Sequence, residues 1–194
     1  PGQVKTRLSP ILTPEQAAWL HKAFVFDTLE SLNHCADVEL WSDQPHPDWP
    51  IPCRIQAEGD LGVKMLDALN RGLAAGRPRV MIVGGDSPTV PVDAIRRMLA
   101  DDADVTLGPT DDGGYWAIAC RRVHPAMFVD VPWSTAETLA ATERAVAACG
   151  LTVARGPAWW DVDTPEDLVR LRAEPVLPRY TQEALARIQG SCPH

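Results

Sequence analysis

The chain has 194 residues, 45% of them apolar and 23% charged, with a formal net charge of −8. That length suffices for one domain with a sizeable core, and the composition excludes extensive disorder. The acidic balance, with no dense basic stripe, argues against a nucleic-acid partner, although one or two local cations are enough to hold a small phosphorylated ligand. No apolar run, Val80 to Val83 included, is long enough to cross a bilayer, and no basic-then-apolar leader opens the chain, so neither a membrane nor a secretory route is expected. Five cysteines, an odd count without CxxC spacing, suit a reducing cytoplasm, with Cys120 and Cys149 as small core residues.

In chain order, Thr13-Pro14-Glu15-Gln16 forms a capping box with Pro at the first helical position. The helix it opens carries Ala17, Leu20 and Phe24 on one face and is expected to run to about Leu32. Val38 and Leu40 alternate with polar neighbours as a short strand, and the proline-rich stretch from Asp43 to Pro52 reads as a loop. Leu61, Met65, Leu69 and Leu73 mark a second helix. Arg79 to Val83 is a buried strand ended by Gly84-Gly85, and Val92 to Ala100 is a helix. Asp104 to Leu107 and Tyr115 to Ala119 are strands; Ser134 with Glu137 is a further capping box opening a helix that Gly150 stops. Leu151 to Ala154 is a strand, Thr164 starts a helix to about Arg172, and Thr181 to Gln189 is a last amphipathic helix. Alternating helices and strands with short links define an α/β protein with a mainly parallel sheet, whose ligands bind beyond the carboxyl ends of the strands.

That rule directs attention to the loops that follow strands. In Gly84-Gly85-Asp86-Ser87-Pro88 the glycines admit a ligand to the backbone, and Asp86 either meets a divalent cation or caps the next turn. In Asp161-Val162-Asp163-Thr164, residues two apart share a side if the piece is extended, so Asp161 and Asp163 either join Asp86 on one cation or serve the Thr164 helix start. Gly2, Lys5 and Arg7 at the N-terminus are suited to phosphate, or form a solvated tail. Gly108 to Trp116 is a hairpin whose turn brings Asp112 and Tyr115 together. Before the second helix, Asp60 is its N-cap, and the amide of Gln56 is able to read a nucleobase edge.

Taken together, PGQVKTRL, QAEGDLGVKM, IVGGDSP, GPTDDGGYWAI, VPWS and DVDTPEDL stand in an order that resembles the glycosyltransferase-like family known as DUF2064, or selenodomain-associated transferase 1. The resemblance covers nearly all of residues 1 to 173 and implies a three-layer α/β/α nucleotide-diphospho-sugar transferase fold of the GT-A type. It implies a domain over residues 1–174, with 175–194 as a C-terminal helical extension. The family begins with a hydrophobic strand before the PG loop; that strand is missing here, and an apolar slot with unpaired backbone groups is expected in its place, through truncation most simply, or else filled by a symmetry-related chain or removed by a rearranged fold.

Carried over by position, the resemblance gives Gly2, Lys5, Arg7, Gln56, Gly59, Asp60, Gly85 and Asp86 as nucleotide-binding. Lys5 and Arg7 also stabilise the departing group, and Asp112 is a candidate base. Asp112, Gly113, Gly114, Tyr115 and Trp133 face the acceptor, and Asp86, Asp163 and, less closely matched, Asp161 bind Mg2+ or Mn2+. Lys64 stands where Arg is usual, which keeps the charge and loses the planar fork. The implied activity is transfer from a nucleotide-diphospho-sugar to a small-molecule acceptor in the cytoplasm, and a homodimer is compatible with it. The alternatives are a nucleotidyltransferase using an NTP and a non-catalytic nucleotide-binding protein.

Overall fold

The computed structural model describes residues 5–9, 11–47, 49 and 51–190. A 3-10 turn, Thr6–Leu8, precedes helix α1, Pro14–Asn33. Thr13 caps α1 as its sequence requires: Gln16 N donates to Thr13 Oγ1, and Thr13 N donates to Gln16 Oε1. Strands β1, Leu40–Ser42, and β2, Cys53–Ile55, pair in parallel as a separate two-stranded sheet. Helix α2, Leu61–Ala74, follows and is capped by Asp60, which accepts from Val63 N.

The main sheet comprises β3, Val80–Val83; β4, Val105–Pro109; β5, Tyr115–Cys120; and β6, Val153–Arg155, in the order β3-β5-β4-β6. β6 lies parallel to β4, while β5 is antiparallel to both β3 and β4. Three of the four strands therefore run one way, and β5 is the return arm of the β4–β5 hairpin. Among the described residues no strand pairs with the second edge of β3, so the β1–β2 pair stays separate from the main sheet.

Side chains alternate across this sheet. Val80, Ile82, Val105, Leu107, Ile118 and Cys120 meet Met65 and Leu69 of α2 and Leu139 and Val146 of α4, Thr138–Ala148. Met81, Val83, Ala117 and Ala119 face Ala94, Ile95 and Met98 of α3, Val92–Ala100, together with Leu32 of α1. The result is the three-layer α/β/α arrangement. A third cluster joins Leu20 and Phe24 of α1 to Leu168 and Leu171 of α5, Pro165–Arg172, and to Leu185 and Ile188 of α6, Arg179–Gly190. The C-terminal helix is thus built into the core. Its first turn is held by Asp27 of α1, which accepts from Tyr180 N at 2.9 Å, Thr181 N at 2.7 Å and Thr181 Oγ1 at 2.6 Å.

Three local readings differ from the sequence. β2 is an added strand immediately after the proline-rich loop. The Ser134–Glu137 capping box does not form: Ser134 has φ 60 and Glu137, the N-cap of α4, makes no side-chain cap bond. Threonine hydroxyls organise that start instead, with Thr135 Oγ1 accepting from Glu137 N and Thr138 Oγ1 accepting from Thr135 N. Residues 161–163 form no strand. Among the described residues no helix is long and apolar enough to cross a membrane.

Candidate active site

A single segment, residues 156–162, runs across the carboxyl ends of β4 and β3. Gly156 N donates to Leu107 O, Trp159 N to Pro109 O, and Val162 N to Asp86 O. Gly156 fits because a side chain there would strike Met98. Trp160 and Val162 anchor the segment in the core, which leaves the intervening Asp161 and the following Asp163 to face outward. The backbone bond between Val162 and Asp86 is what brings the two acidic motifs together.

Lys5 completes the cluster. Its Nζ donates to Val162 O at 2.6 Å and to Asp163 Oδ1 at 2.8 Å, and lies 2.6 Å from Asp86 Oδ1. The Lys5 side chain is 3% exposed, whereas those of Asp86 and Asp163 are 42% and 33% exposed. Lys5 takes a left-handed backbone conformation, φ 52, and its carbonyl accepts from Leu8 N, so the turn that buries Leu8 also aims the ammonium. Arg7 is 65% exposed, with its guanidinium 4.0 Å from Asp163 Oδ2. His21 of α1 approaches Asp86 Oδ1 with Nδ1 at 3.4 Å. Burial of Oδ1 on its own would raise the Asp86 carboxyl, but the nearby His21 ring and the positive charge of Lys5 outweigh it and bring it down to about 2.

Beside this cluster lies an open cleft of about 270 Å³ bordered by Arg7, Asp112, Trp160, Asp161, Asp163 and Arg170, among others. Arg170 stacks over Trp160 at 4.1 Å and pairs with Asp111 at 3.2 Å. Asp167 is committed to the start of α5, where it accepts from Thr164 N and Asp163 N. Asp112 Oδ1 accepts from Thr110 Oγ1 at 2.6 Å and Gly114 N at 3.0 Å, which shapes the hairpin turn. Gly113, at φ 86, lies against Ala136 so closely that no side chain fits, and its carbonyl accepts from Leu139 N.

Burial, followed by the negative charges of Asp163 and Asp112, pushes Asp161 up to about 6. The folded protein therefore holds a proton at Asp161 that the unfolded chain has released. This makes stability fall as pH rises from about 4 to about 6. Asp161→Asn is expected to flatten that part of the stability profile and to raise the melting temperature at pH 7 relative to the unmodified chain. Thermal melts followed by circular dichroism at half-unit pH steps check this.

The remaining expected residues are distributed as follows. Gly2 lies outside the described residues. A side chain at Gly85 would press on Val25 and approach His21, so its smallness lets α1 close over the end of β3. Gln56 Nε2 donates to Trp41 O, and Gly59 and Asp60 shape the entry to α2. No hydrogen bond or ion pair among the described residues joins this loop to the Lys5 cluster. Tyr115 turns into the apolar layer, its hydroxyl 4.0 Å from Met65 Sδ, and burial raises its ionisation well above the ordinary tyrosine range. Trp133 packs against Phe128 with centroids 6.1 Å apart. His21 and Arg170 were not expected from the sequence. His21 was detectable as a polar residue within the Ala17–Leu20–Phe24 stripe, whereas Arg170 on the exposed face of α5 carries no local signal.

Mg2+ or Mn2+ on Asp86, Asp163 and Asp161 was the expectation. Such ions take oxygen ligands at roughly 2.1 Å in near-octahedral geometry. The space between the facing oxygens of Asp86 and Asp163 is filled here by the Lys5 ammonium. Among the described residues no group of three or more His, Cys, Asp or Glu is arranged to hold a metal ion. With Lys5 in place, the residues do not fit a divalent ion.

Helices on both sides of a sheet whose strands deliver charged side chains to one carboxyl-end cleft define a nucleotide-diphospho-sugar transferase fold of the GT-A type. The family model described as "Uncharacterized protein conserved in bacteria (DUF2064)" matches residues 28–135, and the chain belongs to this family. A crystal structure from Desulfovibrio desulfuricans G20, provisionally described as a nucleotide-diphospho-sugar transferase, superposes with a TM-score of 0.84 at 30% identity, covering 98% of this chain and 92% of that one. The 2-phospho-L-lactate guanylyltransferase of Haloarcula marismortui is 29% identical over 168 residues, 86% of this chain and 79% of that protein. The protein of the same name from Methanocella arvoryzae is 37% identical over 120 residues, 61% of this chain and 52% of that protein. These likenesses make the chain a transferase.

Proposed function

We propose that this protein transfers a glycosyl group from a nucleotide-diphospho-sugar to the hydroxyl of a small acceptor that carries no negative charge. The observation that carries this reading is the charge of the cleft: its described lining sets five aspartates, Asp111, Asp112, Asp161, Asp163 and Asp167, against two arginines, Arg7 and Arg170, and the adjoining Lys5 is already paired with Asp163 and Asp86. A phosphorylated or carboxylated acceptor would be repelled there, whereas a neutral hydroxyl would not.

In this reading the donor diphosphate lies at the Lys5–Arg7 side. Arg7, 65% exposed and only at the edge of ion-pair distance from Asp163, is able to turn to phosphate oxygens, and Lys5 offsets the charge of Asp86 and Asp163 beside the place where the leaving group gains negative charge. Asp112 Oδ1 is tied into the hairpin turn, so Asp161 beside it is the better placed proton acceptor for the acceptor hydroxyl. Trp160 offers an apolar floor next to Arg170.

The names of the curated relatives favour a second reading, nucleotidyl transfer from an NTP with release of pyrophosphate. Product analysis separates the two. Incubation with a panel of sugar nucleotides and NTPs, with and without added Mg2+ or Mn2+, is expected to release nucleoside diphosphate from a sugar nucleotide. Pyrophosphate from an NTP, with sugar nucleotides untouched, would overturn the first reading in favour of the second.

A further inference from the structure

We propose that the Lys5 ammonium is the resident cation of the Asp86–Asp163 pair, and that a divalent ion and Lys5 exclude one another there. This goes beyond the donor and acceptor chemistry, since it concerns the chain without nucleotide.

Three oxygens surround Nζ: it donates to Val162 O and to Asp163 Oδ1, and Asp86 Oδ1 lies at ion-pair distance, 2.6 Å. Two carboxylates and one ammonium form a compact site whose positive member is almost fully buried. A buried ammonium is tolerated when it is paired with carboxylates and hydrogen-bonded, as Lys5 is here. Phe24 adds its ring face at 5.8 Å. The backbone turn at Lys5, fixed by Leu8, delivers the side chain from within the same molecule, so the ammonium acts at high effective concentration. An ion entering from solution must displace this tethered group and leave it without partners. His21, the other group facing Asp86 Oδ1, presents a ring nitrogen there.

Removing the ammonium turns the same pair into an open, doubly anionic site of hard oxygen donors, which suits Mn2+. Titration of the unmodified, nucleotide-free chain with MnCl2 in a calorimeter is expected to show no binding tighter than about 1 mM. Lys5→Met is expected to melt at a lower temperature, to bind Mn2+ at least about tenfold more tightly than the unmodified chain, and to regain melting temperature when Mn2+ is added. Adding Asp163→Asn to Lys5→Met should remove that gain. Equal Mn2+ affinity in the unmodified chain and Lys5→Met would overturn the proposal, as would a folded Lys5→Met that binds no Mn2+.

A second measurement needs no variant. Acetylation of the native chain, read by mass spectrometry, should leave Lys5 unreacted while exposed Lys22 reacts, and MnCl2 should not change this. Lys5 reacting as fast as Lys22 without added Mn2+, or becoming reactive at Mn2+ well below about 1 mM, would overturn the assignment. Sugar-nucleotide turnover enters neither measurement, so failure here leaves the functional reading standing, and the reverse also holds.

Discussion

Asp27→Ala is expected to lower the unfolding free energy by roughly 3–5 kcal/mol, because it leaves three donors at the start of a helix without their acceptor. Asp27 is 2% exposed, and both of its oxygens are used, one by Tyr180 N and the other by the backbone and hydroxyl of Thr181. Water has little access to replace it. For a chain of this size the loss corresponds to a fall in melting temperature of about 10 °C or more. Asp27→Asn keeps an acceptor oxygen and is expected to lose less.

The two Asp27 variants also differ from the unmodified chain in pH response. Burial raises the Asp27 carboxyl above its ordinary value, more than the three hydrogen bonds lower it. The folded state therefore binds the proton more tightly than the unfolded state, and stability drains away as pH climbs past the ordinary aspartate range. Asp27→Asn should abolish that component. Urea unfolding between pH 4 and pH 8 measures both effects; an Asp27→Ala loss under about 1 kcal/mol would show that α6 is held by apolar packing alone.

Asp86→Asn is the second large effect. Asp86 acts by positioning: it holds Lys5, and with Asp163 it fixes the ammonium at the carboxyl end of β3. On the proposed glycosyl-transfer reading, its replacement should reduce turnover by at least about 100-fold, mainly in kcat, since the placement of charge matters most where negative charge develops. Stability should fall by about 2 kcal/mol, toward the low side for a buried pair because the Asp86 side chain is partly open to water. With the carboxyl held at about 2, Asp86 stabilises the fold above pH 4 and that contribution is lost as pH falls from about 4 to about 2. Asp86→Asn should lack this acid-side loss. Steady-state kinetics with acid titration of the melting temperature distinguishes it from a variant that merely weakens donor binding.

Much of the fold is legible in local pattern. α3 occupies Val92–Ala100 as its spacing predicts, and the Thr13 box, Asp60 and the Thr164 start all cap helices. Those signals are local because a cap is a contact between residues three apart. β2 is not legible: Cys53–Ile55 is three residues long, half of its ladder comes from β1, and prolines crowd the approach. The start of α4 misleads because Thr135 and Thr138 compete with Ser134 and Glu137 for the same backbone groups, and positive φ at Ser134 removes it from the cap position. At the site, the convergence of Lys5, Asp86 and Asp163 follows the carboxyl-end rule for such sheets. That Lys5 would lie between the carboxylates, and that His21 would join them, depends on the path of residues 5–9 and the packing of α1, which no short-range pattern encodes.

Helix α1 ties α6 to the charged cluster around Lys5. Phe24 and His21 border the charged cluster, and Asp27 sits about one turn further along the same rod. Clipping the chain before Arg179 would strip Leu185 and Ile188 from their shared core and leave an orphaned carboxylate in an apolar bed. The rod would then lose its outer brace while still being asked to hold His21 in place. The last 12 helical residues thus behave as a splint for the cleft, and shortened forms would be poor material for assays or crystals.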